Sequence, residues 1–324
     1  MHGVRTFARA ATSVLIAACF LAAGCSKKKN PTATTAPPTG GYHFVTAWGA
    51  PGTAAGQFSE PYDVAVDDSG NVYVSDGHND RIQKFTSAGV FITQWGMPGT
   101  SQGQFETPAG IAVDASGYVY VVDVANARIQ KFNANGLYIG QWGTPGSGNG
   151  QFSFPVGIAV DAADNVYVTD AGNDRIEKFN NSGVYLGAWG WMGTGNGQFT
   201  HPAGIAVDDS GNVYVSDNEA NRIQKFASDT TYVTQWGTLG TGNGQFDVAF
   251  QLALDPSGNV YVMDTQNDRL QKFTSSGVFL TLWGNYGDAA GQFSSPEGVA
   301  VTASGIVYVA DTVNDRIQEF APGP

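Results

Sequence analysis

Across residues 42–324 the apolar positions fall in short alternating runs that recur on a fixed schedule. Val72-Tyr73-Val74-Ser75-Asp76 is followed by Arg81-Ile82-Gln83-Lys84-Phe85, and then by Val90-Phe91-Ile92-Thr93-Gln94-Trp95. A period of two, together with Val, Ile, Tyr and Phe, predicts β-strands rather than helices. Clusters such as Asp67-Asp68-Ser69-Gly70-Asn71 and Thr86-Ser87-Ala88-Gly89 separate the runs, as turns require. A further run, such as Gly110-Ile111-Ala112-Val113-Asp114, follows each Gly-Gln-Phe. No window carries the 3.6-residue period of an amphipathic helix. Each unit therefore predicts four strands, the third with Ile and Phe at odd spacing and a polar opposite face.

The schedule is 47 residues long. Trp48, Trp95, Trp142, Trp189, Trp236 and Trp283 are separated by that step, as are the glycines of Gly-Gln-Phe from Gly56 to Gly291. Six units of four strands, with no insertion, predict an all-β protein: a six-bladed β-propeller of four-stranded blades. The last copy ends after its third strand, at Gln318-Glu319-Phe320. The missing fourth strand stands at the other end, where Phe44-Val45-Thr46-Ala47-Trp48 matches Phe91-Ile92-Thr93-Gln94-Trp95. The N-terminal strand is expected to complete the sixth blade, a 3+1 closure that joins the two ends of the array.

These residues carry a resemblance. Gly-Asn-Val-Tyr-Val-x-Asp followed by Asn79-Asp80-Arg81-Ile82-Gln83-Lys84-Phe85, with Gly-Gln-Phe-x-x-Pro-x-Gly-Ile-Ala-Val-Asp upstream, resembles the NHL repeat in all six units. The WD40 and kelch patterns, with their Gly-His…Trp-Asp and double-glycine signatures, fit less well. The resemblance implies the propeller fold. It leaves the activity open, because similar propellers serve as protein- or RNA-binding modules, as sensor domains and as metal-dependent lyases.

The first 41 residues follow other rules. Arg5 and Arg9 precede an apolar stretch, residues 10–24, too short to span a bilayer as a helix. It ends Leu21-Ala22-Ala23-Gly24-Cys25, which resembles the lipobox of a bacterial lipoprotein. Cys19 lies inside the apolar stretch and leaves little of it upstream, so Cys25 is the expected lipidation site. Residues 1–24 are then a signal peptide, and residues 25–41 a lipidated cysteine with a polar, proline-containing tether. Residues 42–324 are the propeller. The expected location is the bacterial cell envelope, with membrane contact through the lipid alone.

Removing the leader sharpens the charge. It holds five of the sixteen basic residues and none of the 28 acidic ones, so residues 42–324 set eleven basic against 28 acidic residues, a net charge of −17. All eleven lie in the Arg-Ile-Gln-Lys-Phe segments, and no separate basic patch can form. Nucleic-acid binding, which needs clustered Lys and Arg, is excluded on that ground. With no cysteine beyond Cys25, a disulfide framework is excluded as well.

Whatever recurs six times is expected to be scaffold. Asp76, Asp123, Asp170, Asp217, Asp264 and Asp311 each stand five residues before Arg81, Arg128, Arg175, Arg222, Arg269 and Arg316, and predict an internal carboxylate–guanidinium latch in every blade. The tryptophans and the Gly-Gln-Phe phenylalanines are expected between blades. The Asp-x-Ser-Gly-Asn turns lack the run of oxygen ligands that a calcium loop needs.

Function is therefore sought where copies disagree. The innermost strand is entered through Pro-x-Gly in copies two, three, four and six, but through Pro61-Tyr62-Asp63 in copy one and Ala249-Phe250-Gln251 in copy five. Copy six reads Pro296-Glu297-Gly298. Ring closure makes copies five, six and one neighbours, so Tyr62, Asp63, Phe250, Gln251 and Glu297 are expected to line one side of the channel mouth, on exposed loops. Two carboxylates, an amide and two aromatics suit a cation, a basic peptide group or a small polar ligand. His43, His78 and His201 fall in different places and do not predict a shared zinc. The expected function is a non-catalytic, monomeric module binding a protein, peptide or glycan, with no cofactor. The alternative is a metal-dependent hydrolase or lyase holding a divalent cation on Asp63 and Glu297.

Overall fold

A computed structural model describes residues 41–323; Cys19, Cys25 and the leader and tether before residue 41 lie outside the described residues. Strand β1 (Tyr42–Trp48) comes first. Blade one is β2 (Pro61–Val66), β3 (Val72–Asp76), β4 (Arg81–Phe85) and β5 (Phe91–Trp95). Blades two to five repeat it as β6–β9 (residues 108–142), β10–β13 (155–189), β14–β17 (202–236) and β18–β21 (249–283). Blade six holds β22 (Val299–Val301), β23 (Val307–Asp311) and β24 (Arg316–Pro322).

All six sheets are antiparallel and four-stranded, and the sixth runs β1-β24-β23-β22. The N-terminal strand therefore closes the ring from the outside, in the register of the other blades. Trp48 lies opposite Ile317, as Trp95 lies opposite Ile82. Phe44 pairs with Phe320.

The core is a set of seams between blades. Tyr73 and Ile82 of blade one pack with Phe105, Ile111, Val121 and Phe132 of blade two. The closing seam is built alike: Val64, Val74 and Phe85 meet Tyr308, Ala310 and Ile317. Each outer-strand tryptophan reaches the next blade, Trp48 lying 6.0 Å from the Phe85 ring and Trp95 5.8 Å from Phe132. The turn glycine above it lies close: a Cβ on Gly89 would come within 2.5 Å of the Trp48 ring. At the chain break blade six has no such turn, and Tyr42 stacks on Trp283 instead, 4.4 Å away.

The third strand departs from expectation. Its polar side is not solvated: Gln83 is fully buried and Arg81 nearly so. The reason is the latch. Arg81 Nε donates to Asp76 at 2.7 Å, and the pair recurs at 2.6–2.9 Å in every blade. The other guanidinium nitrogens donate to the carbonyls of Thr53, Ala54 and Gln57 in the loop that joins the previous blade. Ser59 N, Asn79 Nδ2 and Gln83 Nε2 complete the shell around Asp76.

A second tie links blades. Asp80 Oδ1 accepts from Thr107 N of the next blade at 2.8 Å, and the contact recurs from Asp174, Asn221 and Asp268. Asp315 makes it to Glu60 N across the closing seam, also at 2.8 Å. These Asp and Asn residues sit in the left-handed region, with φ of 52° at both Asp80 and Asp315, a conformation that Asn and Asp tolerate better than most residues.

Blade three breaks the pattern with Glu177 where the other blades have glutamine. The glutamine amide donates to a junction carbonyl at 2.6–2.7 Å. Glu177 Oε1 accepts from Gly150 N at 3.2 Å and meets Arg175 at 3.2 Å, but Oε2 is buried without a partner. Burial pushes the carboxyl up to about 7; Arg175 opposes the rise and Asp170 adds to it. Its favourable contribution is present below the ordinary value of 4.5 and is lost as pH rises through about 7. Glu177→Gln is expected to stabilise the protein at pH 8 by roughly 1–3 kcal/mol, the cost of one unmade buried hydrogen bond. Thermal unfolding from pH 5 to pH 8 should show the gain growing with pH, whereas a gain independent of pH would contradict this account.

Candidate functional site

The five predicted ligand-binding residues are not on exposed loops. Tyr62, Asp63, Phe250, Gln251 and Glu297 are all buried, with 4–8% of their surface exposed. The first four belong to strands β2 and β18, and Glu297 pairs with β23 through its backbone N–H to Ala310 O at 3.1 Å. The innermost strands approach so closely that the third entry position has almost no room. A Cβ on Gly110, Gly157 or Gly204 would lie 2.2–2.5 Å from the next blade's backbone carbonyl. Only Asp63 and Gln251 carry a side chain at that position.

These two side chains meet. Gln251 Nε2 donates to Asp63 Oδ2 at 2.7 Å, joining blade five to blade one past blade six. Asp63 Oδ2 also accepts from Ile111 N at 3.1 Å, and Oδ1 accepts from Val64 N at 2.8 Å. Burial pushes Asp63 up to about 7 against the pull of these donors. Asp63 thus ties three blades together at the ring's centre.

Glu297 differs. It is 5% exposed, and its Oε2 has no hydrogen-bond partner. Burial, with Glu60 and Asp63 nearby, holds its carboxyl well above the usual carboxylate range. Toward solvent lie two residues that the entry motif alone did not point to. His78 Nε2 is 2.9 Å from Tyr62 OH and 3.4 Å from Glu60 Oε2; His78 is exposed and Glu60 half-buried. Both contacts use the same ring nitrogen, and Tyr62 also hydrogen-bonds Glu60. The cluster was legible in principle, since position 60 reads Glu, Thr, Phe, His, Val and Ser across the copies.

The histidines stay apart in their partners: His201 Nδ1 lies 3.6 Å from Glu219 of its own blade. Among the described residues no three His, Cys, Asp or Glu side chains are placed to hold a metal ion. Asp63 in particular has both oxygens engaged by N–H donors.

Five segments, residues 58–85, 105–132, 152–179, 199–226 and 293–320, match the NHL repeat family. The chain therefore carries NHL repeats in five of its six blades. The fifth copy forms the same blade outside the matched segments, and it is the copy with the divergent Ala249-Phe250-Gln251 entry. No curated protein matches the sequence. Among solved structures, a streptogramin B lyase aligns with a TM-score of 0.63 at 14% identity, over 87% of this chain and 98% of that one. A Bacteroides thetaiotaomicron protein of unknown function aligns at 0.65 and 18% identity, over 86% and 76%. A gluconolactonase from Xanthomonas campestris aligns at 0.62 and 13% identity, over 91% and 99%. At these identities the likeness is one of fold.

Asp63→Ala and Gln251→Ala are each expected to cost roughly 1–3 kcal/mol of stability, and the double variant less than the sum. Denaturant unfolding of the three variants gives the coupling directly. Strict additivity would mean that the two side chains do not bond across the channel.

Proposed function

We propose that the chain is a non-catalytic binding module that engages a protein partner through the face carrying its inter-blade junctions. One observation supports this most strongly. The junction position that pairs with each Gly-Gln-Phe phenylalanine is Pro51, Pro98 and Pro145 in the first three junctions, but Met192, Leu239 and Tyr286 in the next three. Met192 is 76% exposed, Leu239 67% and Tyr286 66%, and Trp191 and Met97 are exposed beside their junction positions. Large apolar side chains held in water on successive junctions mark an interaction surface, and Met, Trp and Tyr are enriched at such surfaces. The same loops give their carbonyls to the latch arginines: Thr194 to Arg222, Thr241 to Arg269 and Asp288 to Arg316, at 2.7–2.8 Å. Their backbones are therefore fixed before binding, which lowers the ordering cost of association.

The channel residues favour this reading over a metal-dependent hydrolase or lyase. Asp63 and Gln251 are spent on each other, and among the described residues no three His, Cys, Asp or Glu side chains are placed to hold a metal ion. The similar lyase and gluconolactonase share the fold at 13–14% identity, and their activities are their own. The envelope location rests on Cys25 and its lipobox-like context, and the tether of residues 26–41 would hold the ring near the membrane.

Replacing Trp191, Met192, Leu239 and Tyr286 together by Ser is expected to leave folding intact and to weaken capture of a defined envelope protein at least tenfold. Quantitative affinity isolation with wild type and variant checks it; equal capture by both, or no specific partner for the wild type, would sink the proposal. Cys25→Ser should move the protein from the membrane to the soluble fraction. Unchanged fractionation would contradict the anchor.

A further inference from the structure

The opposite edge of the ring carries another break in the repeat. In blades one to five a turn aspartate, a second-strand tyrosine and a third-strand lysine form one unit. Tyr73 OH donates to Asp67 at 3.0 Å, and the equivalents from Tyr120 to Tyr261 do so at 2.9–3.1 Å. The lysine ammonium stands over that tyrosine ring, 4.7–4.9 Å from its centre, in all five. In three blades it donates from there to a turn carbonyl of the next blade: Lys84 to Ala134 O at 3.1 Å, Lys131 to Asn181 O at 3.0 Å and Lys225 to Ser275 O at 3.4 Å. In the other two it faces the turn aspartate, Lys178 at 3.9 Å from Asp161 and Lys272 at 3.1 Å from Asp255.

Blade six keeps only the tyrosine. Thr302 replaces the aspartate and Glu319 replaces the lysine, so a charge-balanced unit becomes one with a single negative charge. Tyr308 OH donates instead to Ser87 O at 3.3 Å, the carbonyl that corresponds to Ala134 O. Glu319 is near enough for its charge to bear on the Tyr308 phenol. Beside these residues a cleft of about 880 Å³ lies between blades six and one, lined by Glu319, Tyr308, Thr302, Ser87, Asp67 and Asp68 among others. Its lining includes three carboxylates and no Lys or Arg.

We propose that this cleft binds a ligand through a primary ammonium group, seated over Tyr308 between Glu319 and the Ser87 carbonyl, where the other blades place their own lysine. Three contacts recognise the group. The ring face attracts it as a cation–π partner, Glu319 supplies the counter-charge, and the Ser87 carbonyl has a second lone pair beyond the one Tyr308 occupies. A neutral isostere would keep only the weak part of this set. The site lies at the turns between first and second strands, away from the junction loops, and it stands whether or not those loops bind a protein.

Calorimetric titration of the full chain with 1,5-diaminopentane and with N-acetyl-lysine amide tests the proposal, with 1-pentanol and N-acetyl-norleucine amide as the neutral counterparts. Wild type should bind at least one amine tenfold or more tightly than its neutral counterpart, and added salt should weaken that binding. A preference for the diamine identifies a free amine as the ligand; a preference for the lysine amide identifies a displayed lysine side chain. Glu319→Gln should lower the affinity about tenfold. Glu319→Lys should abolish binding and raise the melting temperature, because it restores the internal lysine of the other five blades. Equal binding of amine and neutral isostere by wild type, or wild-type affinity in Glu319→Lys, would overturn the proposal.

Discussion

Six buried carboxylates, one at the end of each second strand, hold this molecule in shape. Asp123 shows the arrangement: it accepts from Arg128 Nε at 2.7 Å, from Glu106 N at 2.8 Å, from Asn126 Nδ2 at 2.9–3.0 Å and from Gln130 Nε2 at 3.1 Å. Burial raises its pKa, and these donors oppose that rise. The guanidinium in turn fixes the carbonyls of Thr100, Ser101 and Gln104 in the loop arriving from blade one. One carboxylate thereby sets the second-to-third-strand turn, the junction loop and the entry to the innermost strand. An uncompensated buried charge is costly, so the set is kept or lost together.

A face braced in this way can carry side chains that contribute nothing to the fold. Met192, Leu239 and Tyr286 stand in water on loops whose backbones the latch arginines already hold. At the ring's centre the approach of the inner strands leaves space for few side chains, and Asp63 and Gln251 use it to bond across the channel. The closing seam between blades six and one concentrates the departures. Glu60, Tyr62, His78 and Glu297 gather on one edge of it and Glu319, Tyr308 and Thr302 on the other. Closure joins residues more than 200 positions apart there, and the repeat is interrupted there by the chain ends.

The fold was legible in the sequence to the level of strand order. The 47-residue period placed every strand, and its phase placed β1 beside β24, because alternation and closure both follow from local pattern. The burial of Gln83, Lys84 and Arg81 was not legible. A five-residue strand with three polar residues looks half-solvated until the groups that cover them are known: junction-loop carbonyls over Arg81 and Gln83 on one face, and the next blade's turn over Lys84 on the other. The candidate site was legible only as a list. Copy-to-copy comparison singled out Asp63, Gln251 and Glu297, but it could not show that the first two satisfy each other while Glu297 Oε2 is left without a partner. Glu60 and Glu319 were equally visible as departures. Position 60 differs in all six copies, and Glu319 stands where the other five have lysine, but neither lies in the Pro-x-Gly entry itself.

The dependence of the ring on its latch carboxylates is tested most directly by the unfolding free energy of Asp123→Asn. The substitution keeps the shape and replaces one acceptor by a donor among groups that already donate. A loss of about 3–5 kcal/mol, the range for breaking one partner of a buried ion pair, is the predicted result. Unfolding indistinguishable from wild type would contradict the account, because the conspicuous repeated residues would then not be the scaffold.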